Sequence, residues 1–360
     1  MTITFARATA FHQEVKARVA EYFVTTGLRP RDLPRMYLKT AAIFAWFAVS
    51  YLLLVFAAHG WWQVGGAALS LGLAVAAVGF NVQHDGAHGG YSDSKVVGRL
   101  MAFALDVIGG SSYFWRWKHN VLHHTYPNIS GADDDINVGV FARLAPQQPR
   151  YRLHRFQHLY MWALYGFIPF KWQLVDDFKE LIQGRVGTRT VPRPRGRELT
   201  LFLAGKAVFV SLAFAVPLLV HPWWVVLAGY AGTSFVVGIL LGVVFQMAHC
   251  VEEAGFPAPP PDTLRMPDEW AVHQVATTVD FARRSRLLTA YLGGLNYQIE
   301  HHLFPHICHL HYPKLAPIVE AVCREFGVQY QAHESLGGAL VSHYRWLRTM
   351  GRRAPAPEPA

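Results

Sequence analysis

The sequence predicts an all-α integral membrane protein, with four transmembrane helices in two hairpins and a cytoplasmic helical cap. Hydrophobic residues make up 52% of the 360-residue chain and charged residues only 16%, a composition that favours a protein partly embedded in lipid. Four long apolar stretches and a one-sided distribution of Lys and Arg lead to the same architecture.

The first hairpin is predicted from two apolar stretches at 40–58 and 61–80. Neither stretch contains Asp, Glu, Lys or Arg, and each is long enough to cross the roughly 30 Å hydrocarbon core as a helix. Only His59 and Gly60 separate them. So short a link allows only a tight turn, and both helices therefore return to the same side of the membrane.

The second hairpin is predicted at 201–220 and 223–248, with its turn at His221 and Pro222. Lys206 is the one charged residue inside these two stretches. Because Lys206 lies near the start of its span, we expect its long side chain to reach back to the membrane interface.

Charge sets the predicted orientation and the domain limits. Of the 33 Lys and Arg residues, 32 lie at 1–39, at 81–200 or after 248, and the two turns have none. By the positive-inside rule these segments, with both termini, are cytoplasmic, and we expect a bacterial inner membrane. The net charge of +9 is then mainly a lipid-surface signal and not one for nucleic acid. The predicted units are a cytoplasmic segment at 1–39, a membrane domain at 40–348 and a disordered tail at 349–360.

Histidines cluster where the predicted spans reach the cytoplasm. His84 and His88 follow the second span, and on a helix that continues out of the bilayer an i, i+4 pair presents both imidazoles on one face. Such a pair suits a metal ion. Alone it is a weak signal, because His154 and His158 have the same spacing in an ordinary basic amphipathic stretch.

A second cluster lies in KHNVLHH (118–124). It combines His119 and His123 with an immediate neighbour, His124, which would point about 100° further round a helix. The cluster could therefore contact two metal ions.

The third cluster lies in LNYQIEHHLFPH (295–306), where Gln298 precedes His301 and His302, and His249 ends the fourth span. About eight imidazoles thus approach one membrane face. Imidazole ligands with few carboxylates suit iron, zinc or copper better than magnesium or calcium. Because one ion needs fewer ligands, the sequence predicts two metals, in a donor set unlike the Glu-x-x-His carboxylate sites of ferritin-like bundles.

The three clusters resemble the histidine boxes of the membrane fatty-acid desaturase superfamily, and the resemblance runs from about residue 37 to residue 340. The matching motifs are HDGAH (84–88), HNVLHH (119–124) with Trp115 before it and Asn128 after it, and QIEHH (298–302). The last is similar to the front-end desaturases, which place a new double bond between the carboxyl group and an existing one. Glutamine stands where that family's third box often begins with histidine.

The resemblance implies two iron ions, with molecular oxygen as the oxidant that removes two hydrogens from an acyl chain. The implied iron ligands are His84, His88, His119, His123, His124, His249, His301 and His302, with Gln298 beside them. An amide oxygen at Gln298 is expected to be a weaker ligand or to hold a bound water. The alternative is a simple hydrogen bond within its helix.

Several further residues are expected near the site. Five polar residues could accept the second N–H of a ligand imidazole, with surface solvation as the alternative for each: Asp85, Asn128, Asp134, Asp135 and Glu300. Trp115 is expected to be an interfacial anchor and secondarily a wall of a substrate tunnel. His273 and Gln274 resemble a family segment close to the metals, whereas His306, His309 and His311 are expected to be surface or packing residues.

The implied reaction needs two more electrons from a donor. HGG at 88–90 belongs to the first box and no HPGG motif of a fused cytochrome b-type haem domain occurs. We therefore expect a separate ferredoxin or small cytochrome, with its reductase, on the basic cytoplasmic face. The other expected partners are membrane lipid and a fatty acyl substrate, carried on coenzyme A, a carrier protein or a phospholipid.

Two alternative functions remain open from the residues. A di-iron lipid or alkane hydroxylase shares the histidine arrangement, because the two reactions diverge only after the first hydrogen is removed. A histidine-rich metal or proton transporter is more remote, since its polar groups should line the middle of the bilayer.

Overall fold

The computed structural model describes residues 3–352, and most of them are helical. The α-helices are α1 (Ala10–Thr26), α2 (Pro34–Leu52), α3 (Trp61–Ala77), α4 (His84–His88), α5 (Lys95–Val107), α6 (Ser112–Trp115), α7 (Gln157–Tyr165), α8 (Ile168–Lys171), α9 (Asp177–Gln183), α10 (Arg197–Val210), α11 (Val216–Leu218), α12 (Trp223–His249), α13 (Trp270–Ala276), α14 (Arg286–Tyr291), α15 (Gln298–Leu303), α16 (Tyr312–Glu325) and α17 (Leu336–Gly351).

Shorter elements connect these helices. π-Helical segments lie at Leu53–Ala57, Val78–Gln83, Arg116–His123, Trp172–Asp176 and Ser211–Ala215, and 3₁₀ turns at Gly139–Phe141, Arg152–Phe156 and His309–His311. The strands pair as β1 (Thr4–Ala6) with β4 (Arg265–Glu269), β2 (Arg185–Val186) with β3 (Arg189–Thr190), and β5 (Asp280–Phe281) with β6 (Ala332–His333).

Four helical stretches are long and apolar enough to cross a membrane: Pro34–Ala57, Trp61–His88, Arg197–Leu218 and Trp223–His249. Each contains most of one predicted span, so the prediction of four apolar membrane helices is confirmed. The bounds differ most in the second stretch, because the π-helical segment Val78–Gln83 carries the helix onward into α4. The first box therefore lies on the end of the second span helix itself.

The helices α3 and α12 form the central pair. A Cβ atom on Gly72 would lie 2.7 Å from the side chain of Val236, so glycine permits this close crossing. Helix α2 packs on α3, where the indole N–H of Trp46 donates to the hydroxyl of Ser70 over 3.0 Å. His84 and His88 on the continuation of α3, and His249 at the end of α12, are thus placed by two helices in direct contact.

Lys206 on α10 was predicted to reach the membrane interface, but its side chain lies in a buried ion pair. Its ammonium is buried, lies 2.6 Å from the Asp177 carboxylate and donates to the Gly109 carbonyl oxygen over 2.7 Å. A buried charge is tolerated when an opposite charge and further hydrogen bonds satisfy it. Because α9 brings Asp177 against α10, Lys206 does not need to reach the interface.

A second hydrophobic core surrounds the third box. We call the group α1, α13, α15 and α16 the cap. Val15 of α1, Ile299 of α15 and Val319 of α16 are buried in one cluster, and β1 adds a parallel pairing with β4. The cap therefore holds α15 between apolar neighbours on several sides.

The C-terminal helix extends beyond its predicted limit. Helix α17 continues to Gly351, and Leu347 and Met350 on it are buried. Residues 349–351 are therefore helical, although the sequence predicted a disordered tail at 349–360. The part of that tail from 353 onward lies outside the described residues.

Candidate metal centre

The seven box histidines and His249 come together where α4 and α12 end. Ligand nitrogens of His84, His88, His119 and His301 lie within 4.8 Å of one another, and we call these residues the first group. Nitrogens of His123, His249 and His302 satisfy the same limit and form the second group. His124 lies between the groups, because its ligand nitrogen is within 4.8 Å of those of both His301 and His302.

The first box is held tightly against the helix that follows it. A Cβ atom on Gly86 would lie 2.6 Å from the backbone nitrogen of Ala102, so α4 can approach α5 only with glycine at this position. The rings of His84 and His88 are 4.8 Å apart between centroids. The i, i+4 pair therefore faces one side, as the spacing predicts.

The second box lies on a π-helical segment and not on an α-helix. The backbone N–H of His124 donates to the carbonyl oxygen of His119 over 3.0 Å, an i to i+5 bond that is often found at functional sites. His119 and His123 consequently join different groups, and His124 turns toward the third box. Its Nε2 lies 2.9 Å from Nε2 of His301.

The third box lies on α15, whose residues are all buried. His301 joins the first group and His302 the second. The side-chain amide nitrogen of Gln298 lies 3.0 Å from Nε2 of His249. Gln298 therefore faces the second group.

Burial sets the protonation of the box imidazoles. It lowers, with help from neighbouring histidines, the pKa of three rings well below the usual value: His124, His301 and His302. Burial also acts on His123, but the carboxylates of Asp133 and Asp135 outweigh it and raise the pKa of that ring. Neutral imidazole is the form that binds a metal.

The hydrogen bonding of the rings fits bound metal ions. Within residues 3–352, seven buried imidazole nitrogens have no hydrogen-bond partner, and five of them belong to the boxes: Nε2 of His88, His119, His123 and His302, and Nδ1 of His124. Each buried unpaired polar atom costs about 1–3 kcal/mol, so five in one cluster indicate ligand atoms. An all-imidazole set suits iron, zinc or copper.

Other groups bind the far side of these rings. Nδ1 of His123 donates to Asp133 over 3.0 Å, and Nδ1 of His302 donates to the side-chain oxygen of Gln274 over 2.8 Å. Asp135 lies 3.4 Å from Nδ1 of His119. Such contacts fix the tautomer and orientation of a ligand imidazole. Asp133 was not predicted, because nothing in the three consecutive aspartates at 133–135 marks the one that faces His123.

Four residues expected to hold an imidazole of the boxes have other partners. The Asp85 carboxylate binds His309 at 2.8 Å, and the Asn128 amide donates to the backbone oxygen of His249 over 2.9 Å. Asp134 lies 3.4 Å from the Lys118 ammonium, and Glu300 accepts from the Tyr330 hydroxyl over 2.9 Å. These side chains point away from the ligand rings, so the expectation for Asp85, Asn128, Asp134 and Glu300 is corrected.

Trp115 lies against the first group, whereas His273 lies outside both groups. The Trp115 ring stacks on His119 with 4.3 Å between centroids and contacts His84 and His88 at their edges. Trp115 is therefore a wall of the first group and not only an interfacial anchor. His273 lies 3.0 Å from the Pro127 carbonyl oxygen, outside both groups.

The two groups differ in exposure. His123, His249 and His302 have no exposed surface, whereas His88 and Trp115 are half-buried. The first group therefore has a partly exposed edge, which the second group lacks. Among the histidines after the third box, which were expected to be surface or packing residues, His306 is exposed and His309 and His311 are buried.

Comparisons with known proteins agree with the site. Residues 59–334 match the family model described as "Fatty acid desaturase". An sn-1 linoleoyl-lipid 6-desaturase of Arthrospira platensis is 43% identical over 97% of this chain and 94% of that protein. One of Synechocystis sp. is 38% identical over 97% of this chain and 98% of that protein, and an acyl-lipid (8-3)-desaturase of Physcomitrium patens is 38% identical over 95% and 72%. The chain therefore belongs to the fatty acid desaturase family, oxidoreductases that introduce a double bond into a fatty acyl chain.

Proposed function

We propose that this desaturase is a di-iron enzyme that uses molecular oxygen to place a cis double bond on the carboxyl side of an existing one, in an acyl chain carried on a membrane lipid. The observation that carries the proposal is the pair of histidine groups with unpartnered ligand nitrogens. The names of the relatives from Arthrospira platensis and Synechocystis sp. support a lipid-linked linoleoyl chain.

The ligand roles follow the two groups. His84, His88, His119 and His301 would hold one iron, and His123, His249 and His302 the other, with Gln298 facing the second. His124 would be a ligand at the boundary between the two groups. When bound, the iron pair supplies the oxidising power that no amino-acid side chain provides, with oxygen and two electrons as co-reactants and water as the by-product.

The remaining residues orient the ligands and shape the approach. Asp133, Asp135 and Gln274 hold the outer N–H groups of His123, His119 and His302. Complete burial of the second group excludes bulk water from it. Trp115 offers an apolar face beside the first group, where an acyl chain would pass.

Position along the acyl chain must come from its polar end. Burial of an acyl chain is worth about 0.8 kcal/mol per methylene. Because every methylene contributes equally, burial gives affinity but does little to determine which carbons lie beside the metal site. A lipid-linked carboxyl end would remain at the membrane surface. The distance from that surface to the first group would then select the carbons that react.

The topology is part of the proposal. Two membrane hairpins would carry a cytoplasmic cap, with both termini in the cytoplasm of a bacterial cell and one membrane domain from about residue 40 to the last turn of α17. Support comes from the 32 cationic residues outside the four predicted spans. The same basic face would attract an acidic ferredoxin or small cytochrome as electron donor.

Lipid analysis of expressing cells tests the function. Cells given linoleate and a ferredoxin system would express wild type, His301→Ala or the control His158→Ala, whose ring lies outside both groups. We expect a new double bond on the carboxyl side in lipid-linked chains for wild type and the control, and none for His301→Ala. The bond position is read by gas chromatography–mass spectrometry after lipid classes are separated. Product found first on coenzyme A would contradict the lipid-linked substrate, and hydroxylated product would contradict desaturation.

A further inference from the structure

Asp85 follows a box histidine, yet its carboxylate faces away from both groups. Its Oδ2 accepts a hydrogen bond from Nδ1 of His309 over 2.8 Å and another from the His309 backbone N–H over 3.3 Å. The Asp85 and His309 side chains are only 3% and 2% exposed. Hydrogen bonds to a buried carboxylate are among the strong ones in proteins, so this contact restrains α4.

The far side of the same ring is also occupied. The Lys39 ammonium lies 2.8 Å from Nε2 of His309. Because an ammonium can only donate, Nε2 accepts and the ring proton lies on Nδ1, facing Asp85. Lys39 belongs to α2, a span helix that carries no proposed ligand. We call the continuous chain Lys39–His309–Asp85 the polar clamp.

The clamp acts at the very end of the second span helix. The last 5 residues of that helix form α4, where the regular helix stops at Gly89 and contacts from neighbouring elements must fix the side chains. One side is fixed by the contact between Gly86 and α5, and the clamp fixes Asp85 from another direction. His84 and His88 lie on the same short helix.

A metal ion at the clamp is a weaker explanation. Asp85, Cys308 and His309 have ligand atoms within 4.8 Å of one another, which would suit zinc. However, the Lys39 ammonium would repel a cation, and Asp85 and His309 already satisfy each other. The observed hydrogen bonds therefore favour a restraint.

We propose that His309 and Lys39 are positioning residues, which hold Asp85 and thereby orient His84 and His88 in the first group. The inference rests on the proposed di-iron function. It ties the first span helix to metal binding although α2 carries no ligand.

Iron stoichiometry of purified protein tests the proposal. Wild type and His309→Leu would be stripped of metal in detergent, loaded with ferrous iron without oxygen, and measured for iron per chain and for thermal unfolding. We expect wild type to retain about two irons and His309→Leu about one, because the second group does not depend on the clamp. His309→Gln should restore the lost iron, since an amide both donates and accepts.

The matched control is His311→Leu. His311 lies on the same 3₁₀ turn, is buried and binds the Arg29 carbonyl oxygen over 2.9 Å, without contact to Asp85. The His311→Leu substitution should lower the unfolding temperature of the metal-free protein, but the variant should still bind both irons. Lys39→Met removes the contact to His309 but leaves the contact between His309 and Asp85, so it should lose the same iron to a smaller extent. This variant tests the proposal if the His309→Leu protein does not fold.

Two results would overturn the inference. One is His309→Leu, or Lys39→Met in its place, binding two irons as tightly as wild type. The other is equal iron loss from His311→Leu, which would make the effect a general loss of packing. A wild type that binds no iron would instead contradict the di-iron function.

Discussion

The side-chain amide of Gln298 contacts Nε2 of His249, 49 positions away, at 3.0 Å. The other ring nitrogen of His249 faces the Thr277 carbonyl oxygen at 3.3 Å, so it carries the proton and Nε2 presents a lone pair. Gln298 thus lies against the atom of His249 that would bind a metal. This long-range contact favours a role beside the metal over a hydrogen bond within α15.

Substitutions at Gln298 should separate these two roles. Gln298→His supplies a stronger ligand and should retain iron and desaturation. Gln298→Leu removes both ends of the amide and should lower iron affinity by about 10-fold or more. Iron titration against a competing chelator measures the effect. Unchanged affinity in Gln298→Leu would support the bond within the helix.

His123→Ala should abolish product formation while the protein still inserts in the membrane. The imidazole of His123 is fully buried in the second group, and its loss leaves that group with fewer ligands. Iron per chain should fall together with product. Membrane fractionation provides the control for insertion, and full product from correctly inserted His123→Ala would refute the ligand role.

Asp133→Asn tests a residue that only the structure identifies. Loss of the carboxylate weakens the hold on Nδ1 of His123, and changes of this kind lower metal affinity by about 10–100-fold. Asp134→Asn is the matched control, because Asp134 pairs with Lys118 and not with a box ring. Equal affinities for the two variants would rule out the assigned function of Asp133.

Gly86→Ala should disrupt the first box through packing alone. Its Cβ would lie 2.6 Å from a backbone atom of Ala102, whereas the nearest atom to a Cβ on Gly98, across the same contact, is 3.7 Å away. Overpacking of this kind costs about 1–3 kcal/mol. We expect lower thermal stability and less iron for Gly86→Ala and little change for Gly98→Ala, measured on purified protein. If both substitutions were tolerated, α4 would be able to shift without loss of thermal stability or bound iron.

Acid should destabilise the fold through His343. Burial lowers the pKa of His343 to about 4, although its bond to the Cys250 carbonyl oxygen opposes the shift. Between the ordinary value near 6.5 and pH 4 the unfolded chain binds a proton that the folded chain does not. Stability should therefore fall as pH drops through this window, by roughly 3 kcal/mol for this one group.

The measurement is the unfolding temperature at pH 7 and pH 5. His343→Gln should show a smaller difference between the two values than wild type. His306→Gln, which removes an exposed histidine, should retain the wild-type difference. If His343→Gln retained it as well, another group would be responsible for the acid sensitivity.

Local spacing was sufficient to predict the spans and the boxes. Apolar length identifies a membrane helix directly, and histidines four residues apart share a face wherever the helix is a regular α-helix. The i, i+4 pair of His84 and His88 needed no tertiary information. The convergence of all eight rings could be expected, because each cluster either follows the end of a predicted span or is predicted to lie on the same face of the membrane as those ends.

Contacts between distant residues could not be predicted in this way. Asp85 was expected to hold a box ring, but its partner His309 lies 224 positions away and belongs to a turn with no motif of its own. Three consecutive aspartates at 133–135 gave no means to choose the one that faces His123. The π-helical segment at Arg116–His123 also leaves no mark in the sequence, and it decides which group each histidine of the second box joins.

The pairing of β1 with β4 has a consequence for how the protein is made. Thr9, beside β1, binds Glu269 at the end of β4, 260 positions later. The ribosome therefore releases the first segment long before its partner exists, and all four apolar helices are translated while that segment still has no strand to pair with. His301 and His302 are translated later still. Both groups are therefore complete only near the end of synthesis, so a chain whose translation stops before the third box should lack a histidine of each group.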